Sequence, residues 1–248
     1  SGLATGAFLV PVPHRTSVRF LVFPHAARRS RPVRPATVPA AGQVARGWEG
    51  HTATAARIEL PDRRLGDAYT TAVRALVAAT SGGFPTPVGR EGTWGVAEEA
   101  RVLTTLAELG LGTSAAPLLR RRGDEVALDS WFRREPASIA RNVAMFEALG
   151  THWALTRDRV VIDDVLGGVV KAAHWTERAR ARDASVPPAL ARRAARALGA
   201  VAGALRGAGQ PDAAADLDAF AARFVLDLDD AVPATAAAAV TAAPRRRR

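Results

Sequence analysis

The apolar positions along this chain change their period near residue 60. Residues 7–23 contain two short apolar runs, Ala7-Phe8-Leu9-Val10 and Val18-Arg19-Phe20-Leu21-Val22-Phe23, separated by Pro11 to Ser17. This pattern predicts two strands joined by a turn. A two-stranded hairpin is marginal alone in water, so the pair is expected to belong to a larger sheet, with 1–23 a remnant of a β-sandwich. Residues 24–46 carry proline and arginine without any period, and a linker is expected over 24–56.

From residue 57 onward the spacing becomes helical. Leu65, Ala68, Ala72, Leu76 and Ala79 form one stripe that stops at Gly82-Gly83; Val96, Val102, Leu103, Leu106 and Leu109 form another that stops at Gly110. Thr113 or Ser114 can cap a short helix through Leu118 and Leu119, and a polar loop is expected over 123–135. Further stripes run through Ile139, Val143, Phe146 and Leu149, then Ile162, Val165, Leu166, Val169 and Ala173. Two more follow, Leu190 to Leu205 and Leu217 to Leu228. The spacing pairs 65–80 with 95–110, 136–157 with 159–182, and 188–206 with 212–230 as helical hairpins. The domain of hairpins is set at 57–230, with a disordered Ala/Arg tail at 231–248. A step of roughly 60 residues per pair is longer than the common helical repeats of about 34 to 47 residues.

Composition narrows the chemistry. The chain has 248 residues, no cysteine and a hydrophobic fraction of 48%. That fraction supports a core, and the missing thiols exclude a disulfide framework, a thiolate metal site and a cysteine nucleophile. The net charge is +10, and Lys171 is the single lysine among the 34 basic residues. Such an arginine bias in an alanine-rich chain matches codon usage in a GC-rich bacterium. Arg28, Arg29, Arg31 and Arg34 share one linker and Arg245 to Arg248 close the chain; without those eight the balance falls to +2. The charge therefore argues weakly for a nucleic-acid partner. No stretch of about 18 apolar residues predicts a membrane span, and no charged-then-apolar leader opens the chain. A cytoplasmic location is expected. Ser1 is not an initiator methionine, so the chain reads as a piece of something longer.

Several segments, taken in order, resemble the glucoamylase-like six-hairpin (α/α)6-barrel glycosidases. Arg57-Ile58-Glu59-Leu60-Pro61-Asp62-Arg63-Arg64-Leu65 is similar to the start of their first barrel helix, and Gly92-Thr93-Trp94 to the start of their second. Leu149-Gly150-Thr151-His152-Trp153-Ala154-Leu155-Thr156-Arg157-Asp158 resembles a recurrent helix-to-helix corner in the family, and Ala173 to Arg178 the end of the helix after it. Ala194 to Ala215 resembles a later hairpin. The resemblance covers roughly residues 47–230. It implies a mainly α fold, an incomplete (α/α)6 toroid preceded by a short β-hairpin and a linker, with a carbohydrate cleft at one end. It also implies inverting hydrolysis of α-glucosides by an acid and a base about 6.5–9.5 Å apart, with a water between them.

The resemblance leads to Glu135 and Glu99 as candidate catalytic residues, and to Trp94, Trp131, Glu98 and Arg133 as candidate substrate-binding residues. Aromatic rings stack on the apolar face of a sugar, and charged groups hold its hydroxyls. Glu98 and Glu99 also suit the first turn of a helix, where the dipole favours acids. Trp94 suits either a subsite platform or a buried plug. The chain departs from the family where Gly95-Val96-Ala97 follow Trp94, since an Arg-Asp pair is missing there. Six hairpins do not fit in this length, so the chain is expected to be inactive alone. Trp153 and Trp175 lie on apolar stripes and read as packing residues, and Gly167-Gly168 as a place of close helix approach. His152 and His174 lack ligand spacing, so neither a metal nor a cofactor is expected. A carbohydrate partner follows from the resemblance. An α-helical scaffold that binds a protein partner without catalysis is the competing reading.

Overall fold

A computed structural model of the chain describes residues 39–80, 94–124, 138–182 and 186–231. The expected strands of 1–23, most of the loop at 123–135 and the tail beyond Ala231 lie outside the described residues. Among the described residues the fold is helical, with eight helices and no strand. The mainly α expectation is met. The chain divides into two units at Gly50/His51.

In the first unit the description begins just before α1 (Ala41–Thr52), which lies inside the span expected as linker. The helix buries no residue. Its start is fixed locally: the Ala40 N–H donates to Gln43 Oε1 at 2.9 Å, one half of a capping box.

In the second unit α2 (Arg63–Thr80) begins where Asp62 Oδ1 accepts from the Arg64 N–H at 2.8 Å. The Tyr69 hydroxyl donates to the Ala56 carbonyl at 2.6 Å, and the Ala56 N–H donates to Leu109 O at 2.7 Å. The segment before α2 is thereby tied to the end of the next helix.

The remaining six helices form three hairpins: α3 (Val96–Glu108) with α4 (Gly112–Asp124), α5 (Ile139–Thr156) with α6 (Arg159–Arg182), and α7 (Pro188–Gly207) with α8 (Pro211–Ala231). The expected partner of 95–110 was 65–80; the structure pairs that helix with α4 instead. A tight corner at Gly110 leaves α4 no choice but to fold straight back. At that corner the Gly110 N–H bonds Ala107 O at 3.0 Å and the Leu111 N–H bonds Leu106 O at 2.8 Å. The third corner repeats the scheme: Gly209 N–H to Arg206 O at 3.0 Å, and Gln210 N–H to Leu205 O at 2.8 Å. Both are Schellman closures, which need a left-handed residue, and Gly110 and Gly209 have φ of 76° and 86°. The middle corner uses Arg157 at φ 54°, with one bond from its N–H to Trp153 O at 2.9 Å. Its guanidinium lies 5.6 Å from the centre of the Trp153 ring, a cation–π contact that favours this conformation.

The odd-numbered helices α3, α5 and α7 pack side by side in one layer, and α4, α6 and α8 in the other. Close approaches show that neighbours within a layer run parallel. Along α5 and α7, Glu147 meets Arg193, Gly150 meets Ala200, and Trp153 meets Gly207. Along α6 and α8, His174 meets Phe220, Glu177 meets Arg223, and Arg180 meets Phe224. Glycine makes these approaches possible: a Cβ at Gly150 would stand 2.9 Å from that of Ala200, and one at Gly207 would overlap the Trp153 ring. Of Gly167-Gly168, expected to mark such a place, Gly167 has open space and Gly168 is buried. The core between the layers is built from Leu103, Leu106, Phe146, Leu149, Leu198 and Leu205 on one side, and Ile162, Val165, Leu217 and Phe224 on the other. Asn142, fully buried on α5, donates to Thr176 Oγ1 of α6 at 2.9 Å, so the central hairpin has a polar lock inside an apolar interface.

Candidate functional site

Because α3, α5 and α7 run parallel, their starts share one end of the domain and the three corners share the other. Of the residues singled out from the sequence, Trp94, Glu98 and Glu99 belong to the first end. Trp94 is half-buried immediately before α3, and Glu98 is exposed on its first turn. Glu99, one position further, faces inward and is 2% exposed. Its two oxygens accept from Arg122 near the end of α4, one from Nε at 2.7 Å and the other from Nη2. This is a bidentate, largely desolvated pair between the two helices of one hairpin. Its geometry turns the Glu99 carboxylate away from Glu98, so the two adjacent acids have different surroundings. Trp131, Arg133 and Glu135 lie outside the described residues; they precede α5, whose start at Ile139 is capped by Ser138 Oγ accepting from the Arg141 N–H at 3.2 Å.

At the opposite end the structure assembles a group that the sequence did not announce. His152 is 1% exposed, neither ring nitrogen has a hydrogen-bond partner among the described residues, and Nε2 lies 3.9 Å from Asp158 Oδ2. Asp158 is held by its own task, since Oδ1 accepts from the Val161 N–H at 3.2 Å and caps α6. Arg120 of α4 faces the same corner, with Nε 2.9 Å from Asp164 Oδ2 but not aligned as a hydrogen bond. Burial lowers the His152 imidazole below its ordinary pKa of 6.5; Asp158 opposes the shift and Arg120 adds to it.

That shift has a definite sign. Below its ordinary value the imidazole takes up a proton in the unfolded chain but not in the folded one, so folding is favoured above that pH and stability falls as acid is added. His152→Gln is expected to flatten this slope between about pH 7.5 and about pH 5. Urea midpoints of both proteins at the two pH values measure it; parallel losses in the two proteins would assign the acid sensitivity to other groups.

Along the face of the odd layer runs a groove of about 550 Å³. Its floor is made of small side chains, Ala97 and Ala100 on α3, Ala140 and Ala144 on α5. Among the described residues, Arg101, Arg141, Arg193 and Glu147 also line it. Arg193 Nε bonds Glu147 Oε1 at 2.6 Å, which fixes the wall between α5 and α7. The signal for this feature is present in the sequence as alanines recurring at helical spacing away from the leucine stripes.

Among the described residues no three His, Asp or Glu side chains gather as metal ligands, and no helix is long and apolar enough to cross a membrane. Set against models of protein families, curated proteins and solved structures, the chain matches none.

Proposed function

We propose that this chain is a carbohydrate-handling helical-hairpin domain of the glucoamylase type, with sugar held at the end where α3 and α5 begin. The observation that carries the reading is the layering of α3 to α8. Hairpins alternate between two layers and run parallel within each, which is the local arrangement that a double ring of helices requires. It gathers the starts of the odd helices at one end, and Trp94 stands there half-buried. An indole at a loop-to-helix junction offers one face to the C–H face of a sugar while its other face packs on the protein.

The role is binding without cleavage by this chain alone. Inverting hydrolysis needs an acid and an unengaged carboxylate base, and Glu99 has both oxygens on Arg122. In this reading Glu99 fixes the first turns of α3 beneath Trp94, and Glu98 and Glu135 are the acids left to meet sugar hydroxyls. Titration of the chain with maltose and trehalose, followed by tryptophan fluorescence, is expected to give a saturable change that is lost in Trp94→Phe. No change with any α-linked glucoside would overturn the reading. Glucose release abolished in Glu135→Gln would instead raise the chain from binder to hydrolase.

A further inference from the structure

We propose that the corner between α5 and α6 is a proton-sensitive latch: when the buried His152 ring takes up a proton, the end of α5 and the first turns of α6 come free of α4. The sugar end lies at the other end of these helices, and the inference does not rest on it. Among the described residues, four buried side-chain polar atoms lack a hydrogen-bond partner, and three belong to this corner: both nitrogens of His152 and Nε of Arg120. A neutral ring tolerates that isolation at some cost; an imidazolium, with a charge and two N–H donors, tolerates it far less. In the closed corner the ring is also walled in. Gly112, the first residue of α4, lies against it, since a Cβ there would stand 3.6 Å from His152 Cε1 and overlap the Thr156 methyl. Thr156 is itself tied down, its hydroxyl donating to His152 O at 2.7 Å and accepting from the Asp158 N–H at 3.2 Å.

The charged groups around the ring do not hold a proton on it. Asp158 Oδ2 is 3.9 Å from Nε2, beyond a hydrogen bond, while Asp158 Oδ1 accepts from the Val161 N–H. To come closer, that carboxylate has to leave the start of α6. Arg120, reaching in from α4, repels an imidazolium and is drawn to Asp164 Oδ2 at 2.9 Å. α3 and α7, the other helices packed on α5, bring no described charged group that bears on the ring. Burial and Arg120 thus oppose the proton, and Asp158 alone favours it. The same two residues pin α6 in place: Asp158 caps its first turn, and Arg120 joins its Asp164 to α4. A proton on His152 acts on both pins at once, and opening the corner lets water reach the charge. The far end of the hairpin, held by Asn142 and Thr176, stays closed.

The test is hydrogen exchange of the whole chain, read by mass spectrometry at about pH 7.5 and about pH 5 and corrected for the intrinsic pH dependence of exchange. Between the two, residues 152–165 are expected to lose protection by about tenfold, while 170–180, further along α6, keep theirs. One proton permits at most about tenfold per pH unit below the ordinary imidazole value of 6.5. His152→Gln is expected to abolish the difference between the two pH values. Two charge variants add a readout that a purely structural role does not move. Asp158→Asn keeps a capping oxygen but removes the charge that favours the proton, so the loss deepens. Arg120→Gln removes the charge that opposes it, so the loss becomes shallower. These opposite changes decide the matter even where His152→Gln fails to fold. No loss, an equal loss in both segments, the same loss in His152→Gln, or a loss that neither charge variant alters overturns the proposal.

Discussion

Truncating Phe146 to alanine is expected to lower the stability of the domain by about 3–5 kcal/mol, the range for emptying a fully buried aromatic site. Phe146 is 0% exposed and heads the largest side chains that are completely enclosed. It sits in the middle of α5, the helix that packs on α3 and α7 within its layer and on α4 and α6 across the core. The surroundings cannot close around the space it leaves, because glycine-mediated contacts have already brought α5 and α7 as near as their backbones allow. With a total stability of about 5–15 kcal/mol for an ordinary domain, this one change removes a large share of the margin. Urea unfolding should report the loss as a lower midpoint at unchanged slope. Leu155→Ala, at a residue 56% exposed on the same helix, serves as the control and should stay within about 0.5 kcal/mol. A Phe146→Ala loss no larger than that of the control would mean that α5 is not the centre of this core.

Removing Glu99 is the second large effect. Its side chain is 3% exposed and that of its partner Arg122 is 14% exposed, so Glu99→Ala takes a bidentate carboxylate away from a guanidinium held mostly out of water. Breaking one side of a buried pair costs about 3–5 kcal/mol. Arg122 retains some access to solvent, which places the expected loss near the lower end. The decisive comparison is the double variant Glu99→Ala/Arg122→Ala. If the pair is what matters, the double variant loses less than the two single variants added together. Equal additive losses would show that the two residues act independently. The same variants address the chemistry: a Glu99 that only braces α3 should, when changed to glutamine, leave the sugar-induced fluorescence signal in place.

The helices were legible in the sequence wherever an apolar stripe exists. Stripes such as Val143-Phe146-Leu149 and Leu198-Val201-Leu205 record a buried face directly, and both lie in the core. Gly110 and Gly209 mark their corners because only glycine occupies the left-handed region without penalty. The middle corner was placed between 157 and 159 by the stripes on either side of it, since Arg157 carries no such signal; its guanidinium lies over Trp153. Helix α1 was missed because it follows a proline- and arginine-rich run that reads as linker, and because it buries nothing. The pairing of α3 was misread because the helix expected through Leu118 and Leu119 was given no partner, when both are core residues. At the candidate site, spacing could pick out Glu98 and Glu99 as a pair, but only the fold shows that one faces solvent and the other faces Arg122. The groove left only a trace, in alanines at helical spacing, and the His152 corner needs Arg120 of α4 beside the local His152 and Asp158.

The parallel stacking of hairpins has a consequence for how the domain comes apart. Each hairpin is braced by the next one in sequence, as α3 is by α5 and α5 by α7. Stability in such a stack behaves as a short line of coupled units, each lending part of its interface to its neighbour. An outer unit can loosen by giving up one interface, whereas α5 and α6 must give up two. Opening therefore starts at the rims of the stack and reaches the Asn142–Thr176 lock last, so the slowest-exchanging amides belong to the middle of the array.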